Sequence, residues 1–155
     1  MKTPWNPSRT ATARVKNPLP APTACPYCGK PVQIVGHEKV YGRAYSDWPW
    51  LYACNGAEEG GCGAYVGLHP FTNIPLGTLA DGPTREARKR AKSAFEPLYR
   101  HYRMDRSEAY AWLAKQLGIP TEECHVGWSD IAQCQRIEQI CVAELRRRAT
   151  NWRAA

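Results

Sequence analysis

Seven cysteines occur in 155 residues, and four of them are spaced to meet on one metal ion. Cys25-Pro26-Tyr27-Cys28-Gly29 is a Cys-x-x-Cys turn, tight enough for both thiolates to reach one metal while backbone amides point at sulfur. Gly29 supplies the permissive backbone that such a turn requires. After 25 intervening residues comes a looser pair, Cys54-x7-Cys62-Gly63, in which Gly60, Gly61 and Gly63 provide bends that bring Cys62 back to Cys54. Four thiolates make a closed tetrahedral shell, the donor set of a structural zinc; a catalytic zinc keeps one position open for water. The sequence therefore predicts one structural Zn2+ on Cys25, Cys28, Cys54 and Cys62. His69 is an alternative to Cys62 as fourth ligand, but the Cys62-Gly63 pairing is better. A reduced, metal-free quartet is the other alternative, and the spacing and glycine placement weigh against it.

A second cysteine group, Cys124, His125, Cys134 and Cys141, offers the donors of another metal site. Cys134 and Cys141 fall on the apolar face of the last expected helix, where cysteine acts as a small hydrophobe. His125 reads as a hydrogen-bonded turn residue before that helix. A Cys124-His125 nucleophile and base is conceivable, yet adjacent residues rarely face each other well enough. There is no His-Glu-x-x-His, phosphate-binding glycine loop or Gly-x-Ser-x-Gly elbow, so an enzyme is not expected.

These residues need elements to position them, and the pattern supplies two kinds. Residues 1–23 read as a flexible basic arm, in which prolines 4, 7, 18, 20 and 22 block regular structure and Lys2, Arg9, Arg14 and Lys16 carry charge. Residues 24–80 read as the zinc ribbon. A strand with a bend at Gly36 is expected in Pro31–Tyr41, a second over Trp50–Ala53 leading into Cys54, and a third over Ala64–Gly67. So small a sheet buries too little to stand without the metal. Residues 81–150 change to a helical period and are expected to pack on the ribbon. Ala87, Ala91, Ala94, Phe95, Leu98 and Tyr102 form one stripe, with a kink or restart near Phe95 because Pro97 lacks an N–H. A second helix runs from a Ser107 cap to Leu117, closed by Gly118. A third follows a Ser129 cap, with Ile131, Cys134, Ile137, Cys141 and Leu145 on one face and Arg146-Arg147-Arg148 at its end. The fold class is α+β: a four-cysteine zinc ribbon with a short antiparallel sheet, then a three-helix segment.

Composition narrows the class. A hydrophobic fraction of 43% with 6 tryptophans excludes a wholly disordered chain. No apolar run approaches the roughly eighteen residues of a membrane span, and the N-terminus lacks the apolar core of a signal peptide. No membrane association is expected, and a reducing cytoplasm is, where an odd cysteine count with a Cys-x-x-Cys means metal rather than disulfides. The net charge of +7 favours an acidic partner.

Taken together, the motifs Cys25-Pro-Tyr-Cys28-Gly29, Val40-Tyr-Gly-Arg43, Cys62-Gly-Ala-Tyr-Val-Gly-Leu-His-Pro70 and Thr72-Asn-Ile-Pro-Leu-Gly-Thr-Leu-Ala-Asp81 resemble a zinc-finger-containing domain family of uncharacterised function. The likeness continues through Glu108-Ala-Tyr-Ala-Trp-Leu-Ala114 and Cys124-His-Val-Gly127, covering most of residues 25–142. The resemblance implies that Cys25, Cys28, Cys54 and Cys62 are the metal ligands, and a setting in bacteriophages, prophages or plasmids, which largely carry this family. More distantly, the ribbon is similar to the C-terminal zinc ribbons of type IA topoisomerases, which contact single-stranded DNA.

Two groups of residues suit a nucleic acid. Arg85, Arg88, Lys89 and Lys92 lie three or four apart and read as a helix face opposite the alanine stripe, able to hold phosphates. Tyr41, Arg43 and Trp48, in or beside the Gly42–Pro49 loop, read as an exposed platform for unpaired bases. The expected function is non-catalytic nucleic-acid binding, DNA foremost, in a phage or mobile element. The alternative is a small inhibitor or adaptor gripping an acidic host protein, such as a defence or nucleic-acid-processing factor. The oligomeric state stays open.

Overall fold

Val32, Ile34 and Val35 are β-branched residues that favour a pleated strand, and β1 (Val32–Gly36) forms there. It pairs antiparallel with β2 (Trp50–Cys54), Val32 opposite Cys54 and Gly36 opposite Trp50. β3 (Tyr65–Gly67) adds to the other side of β2, Leu51 opposite Gly67 and Ala53 opposite Tyr65. The computed structural model describes residues 2–154, with side chains through residue 151. It divides into two compact units, Met1–Gly82 and Pro83–Ala155.

In the first unit β2 is central, and Leu51, Tyr52, Ala53 and Cys54 are all buried. Cys25, Trp48, Tyr52, Cys54, Ala64, Leu68 and Leu79 form its core. The chain after β3 doubles back on it, bridging Leu68 to Pro75 and Tyr65 to Ala80. The first strand stops at Gly36 instead of bending there, and the helical turn α2 (Glu38–Tyr41) follows, ended by left-handed Gly42. The Glu38 carboxylate lies against Gly36, in the space that a Cβ on residue 36 would take. The expected arm is partly ordered: a short helix, α1 (Arg9–Arg14), sits between Pro7 and Pro18, where no proline intervenes and Ser8 Oγ accepts from the Ala11 N–H. Pro4 is buried, Trp5 sets its ring edge on Trp50, and the Ser8 N–H donates to the Phe71 carbonyl.

The second unit is helical: α3 (Gly82–Arg100), α4 (Arg106–Leu117) and α5 (Ile131–Ala154). Phe95 and Leu98 of α3, Leu113 and Leu117 of α4, and Cys134, Ile137 and Cys141 of α5 meet in one core. Pro97 does not restart α3, because it falls in the last turn and sacrifices a single hydrogen bond. Capping differs by one or two residues from expectation. Asp105 occupies the N-cap of α4 in extended conformation, leaving Ser107 inside the helix. Asp130 Oδ1 accepts from the Gln133 N–H and caps α5, while the Ser129 hydroxyl turns back to the His125 carbonyl. Ile131, in the first turn, is exposed.

Candidate metal centre and basic surfaces

The four cysteines converge. Cys25 Sγ lies 3.5 Å from Cys62 Sγ, Cys28 Sγ lies 3.3 Å from Cys54 Sγ, and all four sulfurs fall within 4.8 Å of one another. A tetrahedral zinc with Zn–S bonds of about 2.3 Å sets its sulfurs roughly 3.8 Å apart. The donor set and its spacing therefore fit one zinc ion.

Two equivalent turns deliver half of these ligands. Cys28 is followed by Gly29 at φ +78, and Cys62 by Gly63 at φ +82. Each left-handed glycine reverses the chain so that the next amide points back, Lys30 N–H to Cys28 sulfur and Ala64 N–H to Cys62 sulfur. Around the first turn, Cys25 N–H donates to the Lys30 carbonyl and Gly29 N–H to that of Cys25, each at 2.8 Å. Cys54 arrives at the end of β2, where its sulfur accepts from the Cys62 N–H. The intervening loop turns through three left-handed residues, Asn55, Gly56 and Ala57, and Asn55 Nδ2 donates to the Glu59 carbonyl. A Cβ at Gly61 would lie 2.9 Å from the Cys54 carbonyl oxygen, so only glycine fits that return.

As free thiols these groups differ. Lys30 N–H, and then the Cys54 thiol, pull Cys28 down to about 7, whereas burial pushes Cys54 up to about 12 and also raises Cys62. Four thiolates this close repel strongly without a cation between them. A dication relieves that repulsion, and it fills the shell, so its role is to hold the ribbon together. His69 stands outside the cluster, its backbone N–H donating to Ile74.

The zinc ribbon so defined carries a closed four-cysteine centre. The chain belongs to the zinc-finger-containing domain family, whose pattern it matches over residues 21–144. No curated protein and no solved structure is significantly similar to it.

Among the described residues, the second cysteine group is not gathered into a cluster placed to hold a metal. Cys124, Cys134 and Cys141 are buried in the helical core, and burial raises Cys124 to about 11 and Cys141 to about 12. The His125 ring stacks on Trp128 at 3.9 Å, with Nε2 at 2.9 Å from the Glu122 carbonyl. Among the described residues, Cys25, Cys28, Cys54 and Cys62 form the only group of three or more His, Cys, Asp or Glu side chains placed to hold a metal.

Of the residues expected to touch nucleic acid, two are corrected. Trp48 is 6% exposed, with its Nε1–H donated to the Thr72 carbonyl at 2.9 Å, so it is core and not platform. The loop folds back over the sheet and takes the indole with it. Arg88 is half-buried and its Nε donates to the Ser129 carbonyl at 3.0 Å. It stands three residues before Ala91 and seven before Phe95, which places it on the flank of the buried stripe rather than opposite it. Arg85 is half-buried as well, whereas Lys89, Arg90 and Lys92 are exposed. Lys89 pairs with Glu86 at 3.3 Å and Lys92 with Glu96 at 3.6 Å.

Tyr41 and Arg43 are exposed as expected, and the Arg43 guanidinium sits 4.5 Å over the ring of Tyr45. The structure adds what the sequence did not show, a cleft of about 470 Å³ lined by His37, Tyr41, Tyr45, Trp48, Trp50 and Leu76, among others. The aromatics were visible in the sequence; His37 and Leu76 carried no signal, being brought in by the return of the chain. Among the described residues, no helix is long and apolar enough to cross a membrane.

Proposed function

We propose that this protein binds nucleic acid without catalysis, as a component of a phage or mobile element, with the zinc ribbon as its scaffold. The observation that carries the reading is the outward row Lys89, Arg90 and Lys92 on α3, a helix whose opposite face is committed to the core. Residues 83–155 hold 14 Lys/Arg against 9 Asp/Glu, most of the chain's positive excess. The Lys89–Glu86 and Lys92–Glu96 pairs are solvent-exposed and worth under about 1 kcal/mol each, so phosphates can displace the carboxylates. The test is a fluorescence-anisotropy titration of DNA and RNA at several salt concentrations. The reading predicts affinity that falls steeply with salt, and a slope reduced by about two to three in the K89E/R90E/K92E variant. Absence of binding to DNA and RNA at low salt contradicts it.

A second reading, an adaptor for a host protein, draws on one observation. The helical unit exposes an apolar groove of about 460 Å³ lined by Pro97, Tyr102, Val142, Leu145 and Ala149, with Arg146 and His101 beside them. That reading predicts one stoichiometric host protein retained by the wild-type chain and lost from a Leu145→Glu variant.

A further inference from the structure

We propose that the aromatic cleft of the ribbon seats one unpaired nucleobase, so that the ligand is single-stranded nucleic acid; this rests on the nucleic-acid reading above. The cleft is an open site on the first unit, and its 470 Å³ lies within the roughly 300–1,000 Å³ of small-ligand sites. Its chemistry suits a flat aromatic ligand. Buried Trp48, held by its bond to Thr72, closes the back of the cleft, and the ring surface open to a ligand comes from the exposed side chains. Tyr45 is 59% exposed and Leu76 51% exposed, leaving ring and methyl surface toward solvent. Tyr41 meets Tyr45 edge-on at 5.3 Å, which holds the two rings at an angle instead of letting them stack and close the site.

Polar groups are placed at the same site. His37 is nearly buried, and its Nδ1 accepts from the Tyr45 backbone N–H at 3.2 Å. With Nδ1 engaged by that bond, Nε2 is the ring nitrogen left to meet the edge of a base. Arg43, already against the Tyr45 ring, brings a guanidinium to the rim, where the phosphate of a seated nucleotide would follow its base. Rings for stacking beside a cation are the recurring device of single-strand recognition. A base inside a duplex has its faces covered by neighbours and its edge paired, so it does not enter such a cleft.

The experiment titrates the full zinc-loaded chain with a fluorescent thymidine oligomer and with a duplex of equal length. The expected result is at least tenfold tighter binding of the single strand. Tyr45→Ala weakens single-strand affinity by roughly five- to 150-fold, the loss of one stacking partner, and leaves duplex affinity unchanged. Tyr45→Phe retains the ring and binds like the wild type. Zinc content of one per chain in both variants shows that the ribbon is intact. Equal affinity for the two ligands, unaffected by Tyr45→Ala, overturns the cleft while nucleic-acid binding stands. Binding of neither overturns both.

Discussion

At the residue scale, the metal ligands could be read directly from the chain because both halves of the site are local. A cysteine followed by glycine sets its own turn, and the turn at Cys28-Gly29 is repeated at Cys62-Gly63. Gly63→Ala has open space around its new methyl group, so its cost is the left-handed backbone alone, about 1–2 kcal/mol. Competition with a chromophoric chelator should show weaker zinc binding in that variant, since the Ala64 amide loses its aim at Cys62. Trp48 was misread for a different reason. An aromatic residue in a proline- and glycine-containing loop looks the same in sequence whether the loop stands out or folds back, and here Thr72, 24 positions away, decides it. Trp48→Ala should therefore destabilise the ribbon by about 3–5 kcal/mol in thermal or denaturant unfolding, while Arg43→Ala changes stability little.

At the element scale, long periodic segments were readable and their ends were not. The α3 stripe gave the core residues Ala91, Phe95 and Leu98, and three buried positions in so short a repeat admit few alternatives. Caps depend on a single side-chain torsion, so Asp130 and Ser129 compete on equal terms in the sequence. In the structure Asp130 caps, and Asp130→Ala should cost about 1 kcal/mol, against little for Ser107→Ala in α4. The end of α5 carries a pH dependence. Arg147 foremost, and Arg148 after it, hold the Glu144 carboxyl below its ordinary value of 4.5. A carboxylate depressed in the folded state adds stability above pH 4.5, and that stability is lost as pH falls through the lowered value. Because Arg147 is 58% exposed, the gain is below about 1 kcal/mol, and Glu144→Gln should flatten the acid limb of the unfolding curve by that amount.

At the scale of the whole molecule, each unit has its own core, one built around cysteine ligands and the other around helix faces. Structural zinc contributes on the order of 10 kcal/mol to the folding of small cysteine-bound domains, so the ribbon depends on its metal and the helical unit does not. A strong chelator should abolish the ribbon's near-ultraviolet tryptophan signal while leaving most of the far-ultraviolet helical signal in place. The sequence changes to a helical period after residue 80, whereas the aromatic cleft was not legible in it, because the cleft forms only when residues 37–50 and 67–76 fold against each other. All of this turns on the four thiolates sharing one ion. Metal analysis of chain purified without chelator measures it directly: one zinc per wild-type chain, lost on Cys28→Ser with Cys62→Ser, is the predicted result. A content well below one, or one that survives both substitutions, would contradict the account.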